Sequence, residues 1–257
     1  MIEFRDAAVT ALDGRGGNVA ILHPTTLTLT ERRVSVIGGN GSGKSTLARL
    51  MNGLVEPTSG AVRITARPVG SAASDAAASD AARDPSPTLG VALDTVRHGA
   101  AVRRHVGFVF TDPSAQLIMP TVVEDVSLSL RRHHKNKRER HAAALAVLEH
   151  YGLAALADRS VHTLSGGQKQ LLAIASVLAA EPSILVADEP TTLLDLRNGR
   201  MVGDLLMGLP QQVVIVTHDL ELARRADRTL VVESGRVVFD DAPDAAVAHY
   251  REMAARP

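Results

Sequence analysis

Gly38-Gly39-Asn40-Gly41-Ser42-Gly43-Lys44-Ser45 sets glycines, a lysine and a hydroxyl in the spacing G-x-x-x-x-G-K-S. Glycines let a backbone bend until several N–H groups point at one anion, and a lysine amine adds a full positive charge. That combination grips nucleotide phosphate. Lys44 reaches the β- and γ-phosphates, Ser45 offers its hydroxyl to Mg²⁺, and the cradle runs from Gly38 to Thr46. A second glycine turn, Leu164-Ser165-Gly166-Gly167-Gln168, follows later in the chain. Ser165 can cap a helix there and leave its first N–H groups open to an anion. Taken alone, this turn is ordinary capping chemistry. Asp188-Glu189-Pro190 brings two carboxylates. Asp188 suits Mg²⁺ held through water, and Glu189 suits orientation or deprotonation of an attacking water. His218 is one of ten histidines and is placed to hydrogen-bond a γ-phosphate. An isolated Asp-Glu reads as solvated loop acids. After a phosphate loop and a glycine-capped helix, it reads as chemistry.

The elements that must position these groups are legible around them. Val34 to Ile37 is β-branched and apolar, a buried strand that ends at Gly38. A helix over about Lys44 to Asn52 aims its positive end at the phosphates, and Gly53 is placed to end it. The run Gln170 to Leu178 is apolar nearly all round, a buried helix. Ser183 to Ala187 and Val213 to Val216 are short apolar strands leading to Asp188 and to Thr217-His218. Acidic groups at the carboxyl ends of central parallel strands face the ligand crevice. Strands alternating with helices predict an α/β class with a mostly parallel sheet. Thr121 to Tyr151 reads as largely helical.

With these residues in hand, the chain resembles the ATP-binding cassette (ABC) ATPases over nearly its whole length. Leu164 to Gln168 matches that family's signature sequence, Asp188-Glu189 its Walker B end, Leu194-Asp195 its D-loop and His218 its switch histidine. The resemblance implies one P-loop NTPase domain over residues 1–257. It would have a mostly parallel central sheet, an antiparallel β-subdomain and a helical subdomain. The nucleotide-binding core would take 1–111 and 167–257, and the helical subdomain 112–166. It implies ATP and Mg²⁺, with Lys44, Glu189 and His218 as the catalytic groups. It also implies a second ATPase subunit stacked head to tail, a homodimer by the completeness of the site set. ATP held by one copy would be closed over by Ser165, Gly167, Gln168 and Asp195 of the other.

Val106 to Leu117, followed by Pro120 to Val126, looks like the ATPase subunits of energy-coupling factor (ECF) importers. Phe110-Thr111-Asp112-Pro113 is most like the biotin-dedicated subunit. This resemblance implies an integral membrane coupling subunit, a substrate-binding membrane subunit and a peripheral position on the cytoplasmic face of the cell membrane. The runner-up reading is a soluble ABC ATPase with no pore. Apolar Leu117, Ile118 and Met119 suit a helix-in-groove contact with a membrane partner, or equally local core.

Three features depart from the family pattern. The D-loop reads Thr191-Thr192-Leu193-Leu194-Asp195, where small residues are more usual before the Leu-Asp. Thr111 stands where a glutamine usually contacts Mg²⁺. Its hydroxyl on a short stem suits a water bridge better than a direct contact. Gln116 could substitute, or could mark a helix start. No Phe, Tyr or Trp occurs between Phe4 and Phe108, so adenine must rest on aliphatic side chains or an arginine.

Composition closes other routes. A formal net charge of zero gives no support to a nucleic-acid partner, and the absence of cysteine excludes disulfides and thiolate metal sites. No run reaches the roughly 18 apolar residues of a membrane span. The segment 66–87, rich in Ala, Ser, Asp and Pro, reads as a flexible loop insert between short strand candidates. The basic run Arg131 to Arg138 reads as a solvated helix connection, with anionic lipid contact as the sharper alternative. His133, His134 and His141 lack a carboxylate or thiolate to complete a metal site.

Overall fold

The computed structural model describes residues 1–12, 14, 16–65 and 92–255. The expected insert at 66–87 lies outside the described residues. Two long strands, β1 (Ile2–Leu12) and β2 (Asn18–Leu29), pair antiparallel. After them come β3 (Arg33–Ile37), α1 (Lys44–Asn52), β4 (Ser59–Thr65), β5 (Ala92–Asp94), α2 (Gly99–His105) and β6 (Val106–Val109). The helical stretch holds α3 (Val122–Ser129), α4 (Lys137–His150) and α5 (Gly166–Leu178). The chain then alternates through β7 (Ile184–Asp188), α6 (Leu196–Gly208), β8 (Gln212–Val216) and α7 (Leu220–Ala223). It finishes with β9 (Arg228–Glu233), β10 (Arg236–Asp241) and α8 (Pro243–Ala254).

Two sheets result. One is antiparallel in the order β2-β1-β4-β5, and the other runs β10-β9-β3-β8-β7-β6. In the larger sheet every pairing from β9 to β6 is parallel, and only β10 runs against its neighbour. This is the α/β class with a mostly parallel sheet. Central strands β3 and β7 are buried at every position, and the one polar side chain inside the run Val34 to Ile37, Ser35, is satisfied by the Ala223 carbonyl at 3.1 Å and Thr229 Oγ1 at 2.6 Å.

One core lies between the sheets around α1, where Phe4, Leu22, Leu47, Met51 and Val214 meet. A second belongs to the helical stretch, with Val122, Val126, Ala144, Leu148 and Leu172. A third lies against α6 and holds Ile174, Leu206 and Ile215. Helix α5 contributes to both the second and the third, so it straddles the helical stretch and the main sheet. At α3, Thr121 and Glu124 form a capping box, with Thr121 N–H donating to Glu124 Oε2 at 3.2 Å.

Register aligns the functional ends. Val36 pairs with Val216 and Asp188 also pairs with Val216, so β3, β8 and β7 finish level on one sheet edge. Backbone bonds carry the alignment past the strands. Thr217 N–H donates to the Val36 carbonyl at 3.0 Å, and Glu189 N–H donates to the Val216 carbonyl at 2.9 Å. Gly38, Glu189 and His218 therefore leave the sheet side by side.

Candidate nucleotide site

The phosphate loop turns where β3 meets α1. Gly38 has φ +153, and a Cβ there would run into the Val232 carbonyl of the neighbouring strand. Lys44 opens α1 and is buried. Its Nζ donates to the carbonyls of Gly38 at 2.9 Å and Gly39 at 2.8 Å, folding the ammonium into the loop. Burial pushes this amine below its ordinary range, while the carboxylates of Glu189 and Asp188 pull it back up. The Ser42 hydroxyl is buried without a hydrogen-bond partner among the described residues. A buried polar atom of this kind fits an acceptor arriving from outside the chain.

Ser45 Oγ donates to Asp188 Oδ1 at 2.9 Å, so the two candidate Mg²⁺ groups already touch. Arg49 approaches the other carboxylate oxygen at 3.8 Å. Among the described residues no cluster of three or more acidic or histidine side chains is set to hold a metal. A hydroxyl and one carboxylate beside a phosphate cradle suit Mg²⁺, which is commonly held by one or two protein oxygens plus substrate phosphates.

Glu189 is buried and takes φ +53, a left-handed conformation unusual for a residue with a Cβ. His218 Nδ1 lies 2.8 Å from Glu189 Oε1. On the other oxygen, Oε2, the His218 backbone N–H donates at 3.3 Å and Thr192 Oγ1 donates at 2.9 Å. Burial pushes the Glu189 carboxyl up from the ordinary glutamate range, against the pull of the Thr192 hydrogen bond, His218 and Lys44. A carboxylate raised in this way holds or accepts a proton closer to neutral pH, as a general base requires.

Thr111 does not point its hydroxyl proton at the Ser45–Asp188 pair; Oγ1 donates to the Asp188 carbonyl at 2.9 Å. Gln116 neither starts a helix nor reaches the carboxylates. Its Oε1 accepts from Phe110 N–H at 3.2 Å and its Nε2 donates to the Ala173 carbonyl at 3.2 Å, tying the end of β6 to α5.

The second glycine turn is built differently. Ser165 Oγ accepts from Gln168 N–H at 3.3 Å and Gln168 Oε1 accepts from Ser165 N–H at 3.0 Å, a reciprocal capping box at the start of α5. Ser165 and Gly166 are exposed, whereas Gly167 is buried. A Cβ on Gly167 would stand 2.6 Å from Asn198 Cγ, so the glycine here admits a close neighbour. Asn198 is in turn held by Asp195, whose carboxylate accepts its backbone N–H at 2.8 Å and its side-chain amide at 3.0 Å. Ser165, Gly167, Gln168 and Asp195 are thus gathered in one surface region. Beside it, Leu193 and Leu196 stand 62 % and 72 % exposed.

Sequence reasoning met Thr192 only as a departure from the small residues usual before Leu194-Asp195, and it missed both the contact of Thr192 with Glu189 and Asn198 altogether. The only sequence signal for either was a hydroxyl three residues after Glu189 and an amide three residues after Asp195.

Comparison with known proteins places this arrangement. A family profile described as ABC transporter matches residues 22–192. The biotin transport ATP-binding protein BioM of Rhizobium etli is 41% identical over 254 residues, 99% of each chain. BioM of Rhodobacter capsulatus is 36% identical over 238 residues, 93% of this chain and 89% of that one. Among solved structures, the dimeric ATP-binding cassette MJ0796 bound to ADP and Pi superposes with a TM-score of 0.75 at 30% identity, covering 95% of this chain and 99% of that one. CbiO1 of Clostridium perfringens, part of the ABC transporter complex CbiONQ, gives a TM-score of 0.72 at 28% identity, covering 98% and 92%. A P-loop folded against a Walker B carboxylate, on this sheet and with these relatives, has one meaning: the chain belongs to the ABC transporter family and is an ATPase.

Proposed function

We propose that this chain is the ATP-hydrolysing subunit of an ECF-type importer and works as a head-to-tail homodimer coupled to membrane partners. Biotin is the substrate we favour. The observation that carries the reading is the split of the site. Lys44, Ser45, Asp188, Glu189 and His218 converge on one sheet edge. Ser165, Gly167, Gln168 and Asp195 instead form a surface cap, with Ser165 and Asp195 exposed, beside two uncovered leucines. A cap with open helix-end N–H groups suits the triphosphate of another copy.

In this reading the backbone from Gly38 to Thr46 wraps the phosphates and Lys44 leaves the Gly38 and Gly39 carbonyls for the β- and γ-phosphates. Ser45, and Asp188 through water, would hold Mg²⁺, which neutralises phosphate charge when bound. Glu189 orients the attacking water and takes its proton. His218 turns from Glu189 toward the γ-phosphate. Thr111, engaged on the Asp188 carbonyl, stays behind the metal pair as a backbone support. Adenine rests on aliphatic surface. Val19 is half-exposed and lies two residues along β2 from Ile21, whose carbonyl abuts the Gly43 turn.

Among the described residues no helix is long and apolar enough to cross a membrane. In this reading the pore belongs to other chains. The name of EcfA2 of Methanospirillum hungatei, 34% identical over 218 residues that cover 49% of that protein, supports ECF membership, and the names of the BioM relatives support biotin. Affinity purification from detergent-solubilised membranes is expected to bring down an integral membrane partner, and cells expressing the set are expected to accumulate labelled biotin. Purification of this chain without any membrane protein would contradict the transport reading. Co-purification without biotin uptake would contradict the substrate.

A further inference from the structure

We propose that Thr192 is a positioning residue for Glu189, fixing the carboxylate that faces the attacking water; this rests on the role given to Glu189 above. Thr192 sits three residues after Glu189 in a turn closed by its own N–H on the Glu189 carbonyl at 3.3 Å. Its Oγ1 donates to Glu189 Oε2 at 2.9 Å and lies 3.3 Å from His218 Nε2. A hydroxyl has one proton to give. With that proton on Oε2, Thr192 can only accept from the His218 ring.

The two oxygens of Glu189 are therefore held in different ways. Oε1 is met by the His218 ring at Nδ1, a contact that ends when the ring swings to a γ-phosphate. Oε2 is met by the Thr192 hydroxyl and by the His218 backbone N–H at 3.3 Å, and both donors stay behind. The departure of the ring leaves one oxygen anchored twice and the other open toward the crevice. A base so held keeps its aim while its free lone pair meets water. Thr192 itself is exposed, so replacing it opens no core.

The test is steady-state ATP turnover by the full-length chain, with T192V, T192A, T192S, E189Q and the T192V/E189Q double variant. T192V and T192A are expected to lower kcat about tenfold, the scale of one hydrogen bond to a charged group. KM for ATP is expected to stay within about twofold, since the contact does not touch substrate in the ground state. T192S keeps the donor and is expected to recover most of kcat. In the E189Q background, T192V is expected to add no further loss. Unchanged kcat in T192V and T192A beside a collapsed E189Q would overturn the role of Thr192 alone. So would a loss confined to KM, or an additive loss in the double variant. Normal turnover in E189Q would instead overturn the assignment of Glu189.

Discussion

The loop Gly38 to Ser45 and the turn Leu164 to Gln168 use one device, glycines at the start of a helix, and end in opposite conditions. The first is finished by its own chain. A strand precedes it, Lys44 is folded onto its carbonyls, and Ser45 reaches Asp188 across the sheet. The second has a complete cap but an open face. Its side chains satisfy each other, Gly167 packs on Asn198, and Ser165 stays in solvent beside Leu193 and Leu196. The difference teaches that a glycine turn becomes a nucleotide site only when something stands opposite it. Parallel strand ends provide that for the first turn. For the second, in our reading, a second copy provides it.

Substitution of the two turns separates their roles. K44A is expected to cut ATP affinity of the single chain by about 10² or more, the scale for truncating a buried charged contact. G167A puts a methyl group against Asn198 and pushes that amide off Asp195. It is expected to leave ATP affinity of the isolated chain within about twofold and to abolish ATP-induced pairing. Equilibrium binding of a fluorescent ATP analogue, read beside light scattering, distinguishes the two. Weak ATP binding in G167A would erase the contrast between the turns. The smallest effect concerns the base. V19Y gives adenine an aromatic face and is expected to tighten ATP about fivefold to tenfold, on the scale of one stacking contact. Competition between ATP and GTP for the variant measures it, and an unchanged affinity would place the base elsewhere.

The sequence was most informative where a periodic run ended in a residue with special chemistry. Val34 to Ile37 before Gly38, with only Ser35 polar, and the apolar run before Asp188 show no alternation because both faces of those strands are covered. Ser165 and Gln168 could be read as a cap because the motif is local. Short strands on either side of the segment 66–87 were legible, but the antiparallel pairing of that sheet was available only through the family resemblance. Along β1 the register shifts between Phe4 and Ala7 and again between Ala7 and Val9, which breaks the alternation that would mark a strand. Thr111 could not be settled from sequence because its partner is a backbone carbonyl 77 residues away. The contact of Thr192 with Glu189 and the packing of Asn198 on Gly167 were silent for a related reason: each depends on where the backbone carries a side chain, which residue type alone does not encode.

The central claim is that two half-sites on one chain become whole only when copies face each other. Sedimentation of E189Q with saturating MgATP tests it most directly. The expected result is a nucleotide-dependent particle of two 27.1 kDa chains, lost when G167A is added. A species that remains one chain at every ATP concentration would contradict it.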